Sequence, residues 1–463
     1  MKRLNGIKLF RHFLDKYSLY FFIILIKENI METANINTLS RRNLLKTAAI
    51  TVASSTALLT ACKPQSSEKA SPASSPKQDA PVAVEENRYD CFGSHQAGIT
   101  TPHQLFGNLT TFDLTITDKN RLIDYFRILT ARIEFLTQGG EIKDTDPRLP
   151  PEASGLLGKT LRTDGLTITV SVGDTLFDSR FGLADKKPLR LKEMKRFPND
   201  KLNINWCDGD ISIQFCAHSP ETCQNALRDI IKNTAKFAVP RWSLDGWLPK
   251  AEPGALAARN LFGYRDGSGN PDISNPKTAD EVLWTGVAKN SLDEPKWAKN
   301  GSYQAVRLIR QFVEFWDRTP LQEQNTIFGR EKYSGAPLGQ EKESDTPNYT
   351  GDCRSDEGNC DGKSIPIDSH MRLGNARTGD WQKHRILRRP FNYSLGLAKN
   401  KQLDVGLLMI IYQANLDDGF IFVQNAMNGE PLEEYIQPFG GGYFFTLPGF
   451  QKGEFLGQGM FDI

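Results

Sequence analysis

The sequence predicts an α+β chain made of two similar halves with antiparallel sheets, each half alternating short strands with single helices. Three observations carry this. Short stretches alternate apolar and polar residues, longer ones repeat apolar residues at helical spacing, and the whole strand–helix pattern occurs once before about residue 255 and again after it. No Pro/Ser-rich linker separates the halves near that point. They should therefore share a core, with any pocket lying where the halves, or a sheet and its covering helices, meet.

In the first half, "LTTFDLTIT" (109–117) reads as a strand and "KNRLIDYFRILTARIEFLTQ" (119–138) as a helix. "LTITVSVG" (166–173) and "DISIQFCAH" (210–218) are strands, followed by a helix in "SPETCQNALRDIIKNTAKFA" (219–238). In the second half, "GSYQAVRLIRQF" (301–312) is a strand and "PLQEQNTIFGR" (320–330) starts a helix. "VGLLMIIYQ" (405–413) is a strand, "DDGFIFVQNAM" (417–427) a helix, and "GGYFFTLPG" (441–449) the closing strand. Two ferredoxin-like halves, residues 89–255 and 256–463, account for this order.

Ahead of them lie a leader and a tether. Residues 1–62 hold nine Lys/Arg and three Asp/Glu; without them 57 − 9 = 48 basic and 55 − 3 = 52 acidic residues remain, a net charge of −4. That balance excludes a nucleic-acid-binding surface spread over the whole chain. "SRRNLLKTAAITVASSTALLTAC" sets Arg41 and Arg42 before a mild apolar run from Ala48 to Ala61, the pattern of a twin-arginine signal that sends a folded protein to the periplasm. "LTAC" (59–62) has the form of a lipobox; lipidation of Cys62 and ordinary cleavage nearby stand as equal alternatives. Met31 offers a second start, which would make residues 1–30 a start-site artefact. Residues 63–88, rich in Ser, Pro, Ala and charge, are expected to form a disordered tether.

Export permits disulfides among the seven cysteines. Cys207 and Cys216 are close in sequence and Cys223 follows, while Cys353 and Cys360 share a polar loop suited to a small clip. No Cys-x-x-Cys pair points to zinc.

Six histidines are too dispersed for a multi-histidine metal site, but a haem iron needs only one axial ligand from the protein. Of these, His370 has Arg372, Arg377, Arg388 and Arg389 behind it, cations suited to a carboxylate-bearing cofactor. In "NLFGYRDGSGNP" (260–271), Asp266 stands on a loop whose glycines 263, 267 and 269 allow a sharp turn or a close ligand approach. A plain surface turn is the commoner reading of such a loop taken alone.

"GYRDGSGNP" resembles the Gly-x-x-Asp-Gly signature of dye-decolorizing haem peroxidases. So do "GSHQAGITTP" (93–102), "LFDSRFGLADKKP" (176–188), "VEFWDRTPLQEQNTIFGR" (313–330), "GAPLG", "DSHMRLGNAR", "ILRRPFNYS" and "GGGYFFTLPGF", in order over nearly all of 89–463. With the twin-arginine leader, the chain is most similar to the exported branch described as deferrochelatase/peroxidase. The resemblance implies one haem b per chain in a pocket of the two ferredoxin-like halves, a homodimer, and His370 as proximal iron ligand. It implies Asp266 as distal acid and Arg388, 388 − 370 = 18 residues after the ligand, as distal arginine. It also sets Gly267, Ser268, Gly269 and Asn375, Ala376, Arg377 against the haem. A propionate or structural ion pair is the competing reading of Arg388. Hydrogen peroxide with a one-electron donor, or haem itself with loss of its iron, would be the substrates, and iron-uptake components the partners. Some branches carry an asparagine two residues after the arginine; Pro390 stands there in this chain and offers no such hydrogen bond. The rival class is a non-redox haem-binding or iron-delivery protein of the cell envelope.

Overall fold

The computed structural model describes residues 87–143, 146–349, 365–377 and 379–461, all within one compact unit, Val82–Ile463. The leader, nearly all of the tether and the Cys353–Cys360 loop lie outside the described residues. No helix among the described residues is long and apolar enough to cross a membrane.

The first half runs β1 (Phe106–Leu114), α1 (Lys119–Gln138), β2 (Thr167–Gly173), β3 (Ile211–Ala217), α2 (Pro220–Thr234) and β4 (Ala238–Trp247). The second runs β5 (Ser302–Gln311), α3 (Leu321–Phe328), α4 (His370–Gly374), β6 (Leu387–Arg388), β7 (Phe391–Leu397), β8 (Leu403–Gln413), α5 (Phe422–Met427) and β9 (Ile436–Thr446). Local sequence accounts for α1: Asp118 accepts a hydrogen bond from the Arg121 N–H at the N-cap, and Gly139 ends the helix at φ +72°. Its buried Leu122, Phe126, Leu129, Ile133 and Leu136 fall three or four residues apart, on one face.

All the main strand pairs are antiparallel. The first half has the order β2-β3-β1-β4 and the second repeats it as β7-β8-β5-β9. The halves join edge to edge, β9 on β2 through three residue pairs and β4 on β7 through Trp247–Asn392. Because β8 also pairs β5, these eight strands close into a ring. Eight strands leave an interior that side chains can fill. Leu109, Leu244, Val306, Leu308, Phe391, Leu408, Ile410 and Tyr412 do so, contributed by both halves.

Strands β4 and β7 escape the sequence pattern for physical reasons. Pro240 and a run of exposed residues blur the alternation in β4. Pro390 lacks an N–H and interrupts the ladder between β6 and β7, yet Arg388–Ile411 and Phe391–Leu408 pair with β8 in one unbroken register. The described cysteines Cys91, Cys207, Cys216 and Cys223 are buried and free. Cys216 packs among the ring's interior side chains whereas Cys207 and Cys223 belong to the outer core, so their closeness in sequence does not make a disulfide.

Candidate active site

His370 is positioned from behind by α3. That helix ends at Gly329, whose φ of +78° suits glycine, and a Cβ there would lie 2.9 Å from Ser369 Oγ. The bare backbone lets the buried Ser369 pack against it, and His370 opens α4 with its ring edge-on to Phe328 at 5.7 Å. His370 Nδ1 lies 2.8 Å from Glu430 Oε2; the histidine side chain is 29% exposed and the glutamate 3%. Desolvation is the largest influence on the His370 pKa and lowers it, but the charge and hydrogen bond of Glu430 act the other way and the net direction is up. The carboxylate fixes the ring proton at Nδ1, raises the ring's basicity and leaves the Nε2 lone pair available for a ligand.

Facing it is the loop around Asp266. The Asp266 N–H donates to Ala258 O at 2.9 Å, Gly267 adopts φ +129°, and Asn270 N–H closes the turn on Gly267 O at 2.8 Å. The Asn270 side chain then clamps the backbone of Arg388: Oδ1 accepts from its N–H at 3.1 Å and Nδ2 donates to its carbonyl at 2.8 Å. Held on both sides, Arg388 donates from Nη1 to Asp266 Oδ1 at 2.8 Å. A Cβ added to Gly269 would meet only Arg388 Nη2, at 3.8 Å, so this part of the loop leaves its outer side open.

These groups open on one cavity of about 590 Å³, within the range of small-molecule and cofactor sites. Asp266, Ser268, Gly269, His370, Asn375, Arg377 and Arg388 line it; Gly267 and Ala376 are not among its lining residues. The four arginines behind His370 do not gather. Arg377 and Arg388 reach the cavity, while Arg372 donates to Ile365 O and lies over the Tyr349 ring. Arg389, one step along its strand from Arg388, points the opposite way and bonds Thr101 O and Gln104 Oε1.

Sequence reasoning missed Glu430, Asn270 and Arg330. Arg330 is buried on the cavity wall, its pKa lowered first by desolvation and then by Arg377 and Arg388. Of the six arginines that line the cavity, Arg265, Arg307, Arg385 and Arg388 are paired with carboxylates, and Arg330 and Arg377 add positive charge that favours an anionic ligand. Of the other described histidines, His95, His103 and His218 do not line the cavity, and His384, which does, has its Nδ1 already used. His95 stacks on Trp284, His103 meets Phe391 edge-on, and His384 stacks on Phe422 with Nδ1 against Asp418 O. A single carboxylate-backed imidazole, an apolar sheet floor of Ile309, Leu407 and Ile411, and excess positive charge at one end make a donor set that fits haem with its two carboxylates.

Residues 96–248 match the model of the Dyp-type peroxidase N-terminal domain and residues 257–451 that of its C-terminal domain. The chain belongs to the Dyp-type peroxidase family, a family of haem enzymes. Among its relatives, the deferrochelatase of Escherichia coli O157:H7 is 46% identical over 434 residues, covering 92% of this chain and 98% of that one. The deferrochelatase of Yersinia pseudotuberculosis serotype I (strain IP32953) is 49% identical over 375 residues, 80% of this chain and 84% of that one. Among solved structures, the DyP-type peroxidase from Cellulomonas bogoriensis superposes with a TM-score of 0.71 at 30% identity, covering 82% of this chain and 99% of that one.

Proposed function

We propose that this chain binds one haem b and reduces hydrogen peroxide with one-electron donors, and that it also releases iron from haem. The observation that carries the reading is the Asp266–Arg388 contact on the cavity that His370 enters. A protein that only grips haem needs neither group, so no feature of the site favours the non-redox alternative.

When bound, haem supplies the iron at which peroxide is reduced. The chain's own residues do the rest. His370 Nε2 is the ligand, and Glu430 keeps its ring oriented and basic. Asp266 takes a proton from one peroxide oxygen and delivers it to the other as that oxygen departs. Arg388 holds positive charge where negative charge develops. Arg330 and Arg377 bind the propionates, and the backbones of 267–269 and 375–377 flank the macrocycle.

The deferrochelatase relatives support iron release, in which two protons replace iron on the porphyrin nitrogens. The same reading includes export by the twin-arginine route on Arg41 and Arg42, a mature periplasmic protein with or without a lipid on Cys62, a homodimer, and iron-uptake components as partners. The sequence pattern and the family resemblance support this part.

Purified protein loaded with haem should change its Soret band on adding peroxide and oxidise a dye. With an iron chelator present it should yield fluorescent metal-free porphyrin. A Soret band indifferent to peroxide would overturn the peroxidase reading, and porphyrin that keeps its iron would overturn iron release.

A further inference from the structure

Five methionines fall among the described residues. Met194 and Met460 are buried, whereas Met371, Met409 and Met427 are partly exposed, and all three open on the haem cavity. Thioethers are the side chains peroxide oxidises most directly after thiols, and the product sulfoxide is a strong acceptor where the thioether was a weak one. Their positions on the walls differ. Met371 follows His370 in α4, and Met427 lies against that helix, its sulfur 3.7 Å from where a Cβ on Gly374 would stand. Met409 is on the opposite wall, on the sheet floor.

Strand register places Met409 closely. Arg388 pairs with Ile411, so Met409 is its diagonal neighbour on the same sheet face, a spacing of about 7–8 Å. On its other side Met409 pairs directly with Arg307. Arg307 is 1% exposed, and its Nε is a buried donor with no hydrogen-bond partner. Met409 therefore stands between two arginines on one sheet face: Arg388, bonded to Asp266, and Arg307, which holds Asp200 and Met194 through its Nη atoms and keeps Nε unmet.

We propose that Met409 is a built-in oxidation site at which the enzyme consumes peroxide when no external donor arrives. The inference rests on the reading that peroxide is handled at Asp266 and Arg388. One peroxide oxygen bonds to Met409 Sδ, which gives up two electrons and becomes a sulfoxide; the O–O bond breaks and the other oxygen leaves as water with both protons, one of them moved to it by Asp266, beside which bound haem would hold the peroxide. The new S=O oxygen supplies the acceptor that Arg307 Nε lacks, which favours the product. It also introduces a polar group beside Arg388 that competes with Asp266, so oxidation slows later turnovers. Met371 and Met427 stand on the His370 wall instead, next to His370 and Gly374, away from the Asp266–Arg388 pair.

The test is peptide mass spectrometry of haem-loaded and haem-free protein exposed to peroxide without donor, with the Soret response followed in parallel. The Met409 peptide of the haem-loaded protein should gain one oxygen atom ahead of the Met371 and Met427 peptides and far faster than in haem-free protein. Asp266→Asn should slow that gain by about 10²–10⁴-fold, the usual effect of removing a positioned acid–base group. Met409→Leu, a volume-conserving change, should extend the number of peroxide additions tolerated before the Soret response is lost. An unmodified Met409 in protein whose Soret band still responds to peroxide would overturn the inference while leaving the peroxidase reading intact. Equal modification with and without haem would overturn it too. A Soret band that never responds would remove the peroxidase reading itself, and the inference with it.

Discussion

In the first half of the ring, Ile168, Val170, Ile213 and Phe215 on the outer sheet face meet Leu122, Phe126, Leu129 and Ile133 of α1 in a continuous core. In the second half the matching face carries Arg307, Ile309, Leu407 and Met409, and these line a cavity of about 590 Å³. Strand order is the same in both, so topology does not make the difference. The covering helices do. The first half is roofed by 20 residues of α1 and 15 of α2, the second by eight of α3, five of α4 and six of α5. A π-helical turn with non-helical backbone at Gly419 leads into α5. Short helices cannot fill the space above the sheet, and a ligand that binds there adds its binding energy to the stability of the fold. One half thus serves as the stable scaffold and its twin as the container.

The largest expected break in this comparison comes from the container's polar groups. Asp266→Asn should bind haem normally yet slow the peroxide-induced Soret change by about 10²–10⁴-fold. Arg388→Leu should slow it by about 10²–10³-fold. Stopped-flow absorbance checks both, and wild-type rates in both variants would remove the distal mechanism.

Stability should separate the halves next. Leu129→Ala in the filled core should cost about 2–5 kcal/mol, because it creates a cavity. Ile309→Ala, on a wall already facing the void, should cost less than the low end of that range. Denaturant titration of the haem-free protein measures both, and equal costs would mean the second half is packed like the first.

On the proximal side, Glu430→Gln keeps the hydrogen bond and removes the charge. Loss of a group that orients a metal ligand typically costs about 10–100-fold in metal affinity or activity. Haem-affinity titration with a measurement of the iron midpoint potential, which should rise, reads this directly.

The smallest effect should appear at the join between the halves. Burial first, then Arg389, holds the pKa of His103 well below the usual value of about 6.5. The folded protein keeps this ring neutral, while the unfolded chain takes up a proton below about pH 6.5. Its contribution is therefore complete above that pH and is lost as pH falls below it. His103→Gln should flatten the fall in stability between neutral pH and about pH 5, as followed by thermal unfolding.

Much of this was legible in the chain itself. The α1 residues match their expected span because cap, apolar spacing and terminal glycine all agree there. Strands β4 and β7 were hidden because Pro240 and a run of exposed residues blur the alternation in β4, while β7 is buried throughout Phe391–Tyr393 and exposed from Ser394 on, so neither alternates cleanly. Asp266, Arg388 and His370 could be singled out as candidates because each lies in a distinctive run of residues, and the fold brings all three to one cavity. Glu430 could not: it is 430 − 370 = 60 residues from its histidine, in an ordinary polar turn. Asn270 stood in plain view within the glycine-rich loop, yet its clamp on Arg388 depends on a pairing that only the closed ring creates.

We propose that the hollow half is a haem container gripped at His370. Titration of haem into the purified protein, followed at the Soret band, tests it most directly. Saturation at one haem per chain is expected for the wild type, and for His370→Ala either no tight binding or an altered spectrum. Variants of His95, His103, His218 and His384 to Ala should retain the native band. A normal Soret band and full haem content in His370→Ala would contradict it.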